Sequence, residues 1–302
     1  MRLTYHITTL GCPKNVVDSE KMGRLLQQAG HAPSPEQHAD VLIVNTCGFI
    51  EAARRESLGE LRSLVRRKRS NQALIAAGCL VERDGEALPR RLPGIDALLS
   101  TRRWYDIVSV VEQAAAGRGV RGDGAAVTGE EQQRRASAYL KIADGCDRGC
   151  AFCTIPSIKG RYASRPVDDV LADARDLAVE GVREIVLVAQ ETSAYGADRG
   201  ERDGLADLLP RLAAAAPHTH WLRFLYTYPT TVTPRLIETW ARLPQVVRYL
   251  DMPLQHAHPD VLRRMKRPHD IERTRRLLAD LRSALPGQIG RASCRERVWI
   301  PV

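Results

Sequence analysis

The sequence predicts an α/β protein with two parts, an N-terminal α/β domain on a parallel sheet and an incomplete TIM-like βα barrel. Two observations support this. Short apolar runs, such as "VLIV" at Val41–Val44 and "ALIAA" at Ala73–Ala77, are typical of buried parallel strands. Helical patterns alternate with such runs along the chain, and this alternation is typical of parallel α/β folds.

The first domain is predicted over residues 1–111. Its first strand is Leu3–Thr9, where apolar and polar residues alternate, and the two runs above supply the next strands. Helical patterns at Ser19–Ala29 and Ile50–Arg67 separate these strands.

A linker is predicted over residues 112–137, because this stretch mixes Gly, Ala and charged residues without apolar periodicity. The partial barrel then covers residues 138–287. Four βα units in succession favour the barrel. Its predicted strands are Tyr139–Ala143, Glu184–Ala189, Trp221–Tyr226 and Val246–Met252, and its predicted helices are Val167–Glu180, Leu205–Ala215, Pro234–Arg242 and Pro259–Lys266.

The composition is that of an ordinary globular protein, with 44% hydrophobic and 27% charged residues among 302. No apolar run is long enough to span a bilayer, and the N-terminus lacks the features of a signal peptide. A cytoplasmic location with no membrane partner is therefore expected. The formal net charge of +9 is compatible with a polyanionic partner such as RNA, although arginine-rich usage alone can produce it.

Three cysteines of the first domain each follow a predicted strand: Cys12, Cys47 and Cys79. Because the carboxyl ends of parallel strands meet at one edge of a sheet, these residues can converge from distant sequence positions. Each also has an adjacent glycine, which lets the backbone approach a bulky ligand. Three buried small residues are the plain alternative, but their equivalent places favour a metal site.

A second cysteine trio, Cys146, Cys150 and Cys153, follows the first predicted barrel strand with C-x3-C-x2-C spacing. An odd total of seven cysteines argues against a disulfide framework. Structural zinc normally takes four protein ligands, and a histidine would have to supply the fourth: His218, His220, His256 or His258. A four-iron, four-sulfur cube on three thiolates instead keeps one iron open for substrate or cofactor, and this is the favoured interpretation.

The second trio, with Phe152 before its last cysteine, resembles the cluster motif of the radical S-adenosylmethionine (SAM) enzymes. The three separate cysteines before it resemble the methylthiotransferase branch of that superfamily. The segments "TLGCPKNVVDSE", "VNTCGFIEAARRES", "AGCLVER", "GCDRGCAFCTIPSIKGRYASRP" and "LDMPLQHAHPDVLRRMKRP" are most similar to the branch that modifies ribosomal proteins. The tRNA-modifying branch usually has "GCQMN" and "NTCSVR" at the first two of these places.

This resemblance implies two 4Fe-4S clusters and SAM as cofactors. Cys146, Cys150 and Cys153 would hold the cluster that binds and cleaves SAM, and Cys12, Cys47 and Cys79 would hold the cluster that carries the inserted sulfur. Phe152, Gln190 and Glu191 are the cofactor-binding candidates, the last two by contact with the methionine amino group. A polar pair at a helix N-terminus explains Gln190 and Glu191 almost equally well. No residue is assigned a catalytic role.

The implied function is transfer of a methylthio group to the β-carbon of an aspartate in a small-subunit ribosomal protein of the S-twelve type. A reductant protein would be a partner, and contact with ribosomal RNA is compatible with the charge. Two alternatives stay open. One is a tRNA-modifying methylthiotransferase, and the other is a non-catalytic metal-binding or RNA-binding fragment.

The end of the chain departs from the family pattern. Residues 288–302, "QIGRASCRERVWIPV", have no apolar periodicity and are expected to be a foreign tail, with Cys294 unrelated to either trio. The family pattern would continue with a further strand and a C-terminal β-barrel domain. We therefore expect a C-terminally truncated enzyme, which truncation can render inactive.

Overall fold

The computed structural model describes residues 2–120, 122, 135–287 and 289–291, and it divides the chain into two units. The first unit contains residues up to 133 together with Ser157–Lys159, and the second contains 134–156 and the residues from 160 onward. Within the described ranges, none of the helices combines the length and apolar character needed to cross a bilayer.

The first unit is a parallel five-stranded sheet with helices packed on it. Its strands are β1 (Thr4–Thr9), β2 (Ala32–Pro33), β3 (Val41–Thr46), β4 (Ala73–Gly78) and β5 (Ala97–Ser100). They lie in the order β2-β1-β3-β4-β5. Its helices are α1 (Pro13–Gln28), α2 (Glu51–Arg67), α3 (Cys79–Asp84), α4 (Ala87–Arg91) and α5 (Ile107–Gly117).

The central strands β3 and β4 are buried at every residue, which explains their continuous apolar runs. One face of the sheet packs on α1 and α5 through residues such as Met22 and Val111. The other face packs on α2 through Leu58, Leu61 and Leu64. The predicted α/β domain with a parallel sheet is therefore confirmed.

The strands of the second unit are β6 (Ser137–Lys141), β7 (Ala143–Asp144), β8 (Ala163–Ser164), β9 (Glu184–Val188), β10 (Trp221–Phe224), β11 (Tyr249–Asp251) and β12 (Ile289–Arg291). Three of them form a parallel sheet with the order β10-β9-β6. Its helices are α7 (Val167–Val179), α8 (Gly204–Ala215), α9 (Pro234–Arg242), α10 (Pro259–Arg264) and α11 (Ile271–Ala284), and α6 (Ile155–Lys159) falls on the division between the units.

The helices of the second unit cover the sheet as in a βα barrel. Apolar residues of α7, α8 and α9 form one core with the strands, and Trp240 of α9 packs edge-on against Phe224 of β10 with ring centroids 4.6 Å apart. A parallel bridge between Leu222 and Val246 extends the sheet beyond β10. The alternating βα series predicted for this region is present.

Among the predicted bounds that differ from the structure are those of two segments, the linker and the tail. Helix α5 continues to Gly117 and β6 begins at Ser137, so the predicted linker over 112–137 includes residues of both elements. Alanines 114 and 115 of that stretch are buried in the core, and a run of small residues concealed this helical face. Residues 121 and 123–134 of the linker lie outside the described residues.

The second difference concerns the predicted tail. Ile289–Arg291 forms β12, which pairs in parallel with β11 through the registers Tyr249–Ile289 and Asp251–Arg291. These residues therefore form a separate two-stranded parallel sheet with β11, and the strand at Tyr249–Asp251 has a partner there. Gln288 and residues 292–302, including Cys294, lie outside the described residues, and their foreign origin stays a prediction.

Candidate functional site

The three cysteines of the first unit lie at the carboxyl ends of neighbouring strands. Cys12 follows β1, Cys47 follows β3 and Cys79 is the first residue of α3 after β4. Cys47 and Cys79 are buried, and Cys12 is half-buried. The sheet order places these strands side by side, as the sequence predicted.

Glycines bring the three loops into close approach. A Cβ atom at Gly11 would lie 2.5 Å from the Cβ of Cys47, and one at Gly48 would lie 3.0 Å from the carbonyl oxygen of Cys79. Gly11 also has a φ of +94°, in the region that favours glycine. The glycines at these two positions therefore allow the loops to pack closely on one another, and their predicted role in the approach of a bulky ligand stays a prediction.

Buried side chains tie the loops together. The Nδ2 of Asn15 donates to the carbonyl oxygens of Leu10 (2.8 Å) and Thr46 (3.0 Å), which join the ends of β1 and β3. The backbone N–H of Cys47 donates to Ser57 Oγ at 2.9 Å, and Ser57 Oγ donates back to the Cys47 carbonyl oxygen at 3.0 Å. The backbone around Cys47 is thus fixed without using its thiol.

The second trio lies in a loop that follows β7. Gly145 has a φ of +73°, and a Cβ there would lie 2.0 Å from the carbonyl oxygen of Arg161. The N–H of Cys146 donates to the Gly160 carbonyl oxygen at 3.1 Å. The N–H of Cys153 donates to the Cys150 carbonyl oxygen, also at 3.1 Å. All three cysteines of this loop are half-buried.

Burial raises the pKa of the Cys146 thiol, and the nearby charges of Glu191, Cys153 and Cys150 raise it further. Burial is also the main cause that raises the pKa of Cys47, where the neighbouring Cys12 adds to the effect. In each trio, therefore, repulsion from a neighbouring cysteine adds to burial in disfavouring the thiolate form of one member. A positively charged iron centre would relieve that repulsion, so both donor sets fit iron–sulfur clusters.

Within the described part of the chain, no three His, Cys, Asp or Glu side chains are grouped to hold a single metal ion. The thiolates of a four-iron cube bind separate irons at its corners and do not converge on one point. Of the histidines considered as a fourth zinc ligand, His256 and His258 are exposed, and the N–H of His258 donates to Nδ1 of His256.

Glu191 lies after β9 and is 4% exposed. Both of its carboxylate oxygens are paired with Arg148, at 2.7 Å each from Nε and Nη2, and Thr231 Oγ1 donates to it at 3.0 Å. Arg148 belongs to the cysteine loop, so this pair fixes the loop to the end of β9. Gln190 and Phe152 are both half-buried. Contact of these three residues with a cofactor stays a prediction.

Two aromatic residues near the second trio were not identified from the sequence. The hydroxyl of Tyr162 donates to the Glu191 carbonyl oxygen at 2.9 Å, and burial raises its pKa well above the usual range. The ring of Tyr228 has the guanidinium carbons of two arginines near its centre, Arg148 at 4.5 Å and Arg267 at 4.3 Å. No local sequence pattern connects these positions with the cysteines.

Known families match the two units separately. Residues 4–100 match a family described as uncharacterized protein family UPF0004, and residues 140–291 match the Radical SAM superfamily. The second match covers half of the chain. The first match lies inside the first unit, and the second lies in the second unit except for Ser157–Lys159.

Curated relatives match almost the whole chain. The ribosomal protein uS12 methylthiotransferase RimO of Roseiflexus sp. (strain RS-1) is 49% identical over 312 residues, covering 94% of this chain and 66% of that protein. The RimO of Herpetosiphon aurantiacus is 46% identical over 321 residues, covering 94% and 68%. The chain thus spans about two thirds of the length of these relatives.

Solved structures support the fold. The radical SAM methyltransferase TsrM from Kitasatospora setae, with cobalamin and a [4Fe-4S] cluster bound, aligns with a TM-score of 0.69 at 16% identity, over 96% of this chain and 68% of that one. The cobalamin-dependent SAM radical enzyme OxsB aligns with a TM-score of 0.65 at 12% identity, over 96% and 49%. At these identities the likeness concerns the fold.

Proposed function

The chain belongs to the RimO family of methylthiotransferases in the radical SAM superfamily, and we propose from this that it transfers a methylthio group to an aspartate of ribosomal protein uS12. The observation that carries the proposal is the loop of Cys146, Cys150 and Cys153 at the carboxyl end of the first barrel strand. A second cluster on Cys12, Cys47 and Cys79 is part of the same proposal.

When bound, SAM and a reduced cluster would supply the radical that removes a hydrogen atom from the aspartate β-carbon. The residues of the chain would hold these cofactors. Arg148 and Glu191 fix the cysteine loop against β9, and Gly145 allows the tight approach to Arg161. Gln190 and Phe152 are proposed to contact SAM, together with Glu191.

We propose a cytoplasmic location, since the substrate is part of the ribosome. A reductant protein would deliver the electrons, and the net charge of +9 favours contact with ribosomal RNA. The tRNA-modifying activity and the non-catalytic fragment remain alternatives, and the assay below includes both.

The decisive experiment combines iron analysis with turnover. After anaerobic reconstitution, the chain should hold about eight irons, and replacement of either trio by Ala should remove half of them. Reduced protein with SAM should then produce 5′-deoxyadenosine, and this should stop when Cys153 is replaced by Ala.

The substrate is tested by mass spectrometry of uS12 and of tRNA after incubation. We expect the methylthio group on uS12. Modification of tRNA would favour the sister activity, and zinc in place of iron would favour the non-catalytic fragment. A chain without iron at either trio would contradict the proposal.

A further inference from the structure

Arg267 is a buried arginine beside the second cysteine trio. Arg267 is 7% exposed, and its Nη1 lies 3.7 Å from Cys150 Sγ. Its Nη2 donates to the Pro253 carbonyl oxygen, and its guanidinium carbon lies 4.3 Å from the ring centre of Tyr228. The Nε–H has no hydrogen-bond partner among the described residues.

The backbone holds Arg267 close to the cysteine loop. The N–H of Ala151, inside the loop, donates to the carbonyl oxygen of Met265 at 3.0 Å, just after α10 ends. Lys266 then adopts a left-handed conformation with a φ of 51°, and the N–H of Arg267 returns to the Leu262 carbonyl oxygen at 2.9 Å. This sharp reversal joins the segment that carries Arg267 to the loop that carries Cys150.

The charge of Arg267 is unusual because it lacks a carboxylate partner among the described residues. Arg148 contacts the same Tyr228 ring, but Glu191 neutralises it through two hydrogen bonds. A buried guanidinium that stays charged is costly unless an anion compensates it. Its contact with Cys150 Sγ at 3.7 Å would supply that compensation where the sulfur is a cluster-bound thiolate.

We propose that Arg267 is a positioning residue that holds the Cys150 thiolate and raises the reduction potential of the cluster on this trio. The inference rests on the proposed function. A charge-assisted N–H···S hydrogen bond withdraws electron density from the sulfur, and hydrogen bonds to sulfur and local charge both set cluster potentials.

The test is a potentiometric titration monitored by electron paramagnetic resonance, in a chain whose Cys12, Cys47 and Cys79 are all replaced by Ala. Only the second cluster then contributes to the signal. We expect Arg267→Gln to be about tenfold harder to reduce, which corresponds to about 59 mV for a one-electron couple. Arg267→Met should shift the potential in the same direction, and Arg267→Lys should lie closer to the unmodified chain.

Arg264→Gln is the matched control, because Arg264 lies in α10 and is exposed. It removes the same charge nearby and should leave the potential unchanged. Neutral variants that bind iron at an unchanged potential overturn the inference, as does an equal shift in Arg264→Gln. If the chain in which Arg267 is unchanged binds no iron at this trio, the proposed function itself is overturned, so the two failures are distinguishable.

Discussion

A buried carboxylate needs partners for both of its oxygens, and Glu191 obtains them from Arg148 and Thr231. The hydrogen bonds that Arg148 donates to Glu191 are the main reason why the pKa of Arg148 is raised. Since Arg148 stands between Cys146 and Cys150, the pair connects the geometry of the cysteine loop with the end of β9. Its removal should affect stability as well as cluster binding.

We expect Arg148→Gln to lower the free energy of unfolding of the second unit by about 1–3 kcal/mol, because it leaves the Glu191 carboxylate buried without its main partner. Adding Glu191→Gln should restore part of that loss. A double-mutant cycle measured by urea unfolding gives the coupling between the two residues.

The control for this cycle is the pair of Arg235 and Asp207, which are both more than half exposed. Its coupling should lie between about 0 and 1 kcal/mol. A coupling of the same small size for Arg148 and Glu191 would contradict the structural role assigned to this pair.

At this scale, residue type and strand position were sufficient to predict the two cysteine trios. Arg267 was not predicted, because it lies 117 positions from Cys150 and reaches it only through the reversal at Lys266. Arg148 stood inside the quoted motif, yet its partner Glu191 was assigned to the cofactor. The sequence marks both residues as polar, but it does not say that they pair.

At the scale of elements, the turn between β7 and the cysteine loop depends on one glycine. Gly145 has a φ of +73° and no room for a side chain, whereas a Cβ at Gly149, in the same loop, would meet nothing within 4 Å. These two glycines therefore form a matched pair of sites for substitution.

We expect Gly145→Ala to lose most of the iron on the second trio and to destabilise the second unit by more than about 1 kcal/mol, because the new methyl group would displace the backbone at Arg161. Gly149→Ala should keep its iron. Iron content and thermal melts of the two variants check this. Equal iron in both would show that the loop tolerates the displacement.

A second element-scale feature is Asp96, which joins three elements of the first unit just before β5. Lys68 Nζ, after α2, lies 2.7 Å from its carboxylate, the N–H of Leu74 in β4 donates to it at 2.7 Å, and Arg118, after α5, pairs with it. Burial raises the pKa of Asp96, but these hydrogen bonds outweigh burial and hold its pKa below the usual value.

A carboxyl with a lowered folded-state pKa stabilises the fold above its unfolded pKa of about 3.9, and this contribution is lost as the pH falls through the folded pKa. We expect Asp96→Asn to destabilise the first unit by roughly 1–3 kcal/mol at neutral pH. The difference from the unmodified chain should shrink below about pH 4.

Urea unfolding between pH 3 and 7 measures both effects. Glu86→Gln is the control, because the side chain of Glu86 is 90% exposed and its contact with Arg90 is at the surface. If the free energy of unfolding of Asp96→Asn changed with pH in parallel with that of the unmodified chain, the result would contradict the pairing of Asp96 described above.

The elements that were predicted well are those with continuous apolar runs or long helical periodicity, such as β3, β4 and α9. Two strands at or near the sheet edges were not predicted. β2 has only two residues, Ala32–Pro33, and of the four residues of β5 only Leu98 and Leu99 are large and apolar, so neither shows a clear pattern. Their pairing comes from the neighbouring strands, which a local reading of the sequence does not include.

At the scale of the whole molecule, the family matches and the contact pattern agree on a division into two units. Each unit has its own parallel sheet; the first cysteine trio follows strands of that sheet, whereas the second follows β7, which pairs antiparallel with β8 in a separate two-stranded sheet. Alternation of strands and helices predicted this division. The last strand was not predicted, because "QIGR" has a single large apolar residue and its place depends on pairing with β11.

The strand β12 leads to a prediction about where the chain can be shortened. A chain ending at Arg291 keeps the pairing of Ile289–Arg291 with Tyr249–Asp251, whereas a chain ending at Gly287 loses it. We expect the shorter chain to be less stable by about 1–3 kcal/mol, from the lost backbone hydrogen bonds. For a unit of this size, each kcal/mol lowers the melting temperature by about 2–4 °C.

The chain ending at Arg291 should melt close to the full chain under anaerobic conditions, since the foreign-tail hypothesis then concerns only residues 292–302. Equal melting temperatures for all three chains would mean that β12 contributes nothing to the barrel, and a large loss in the Arg291 chain would show that the following residues belong to the fold.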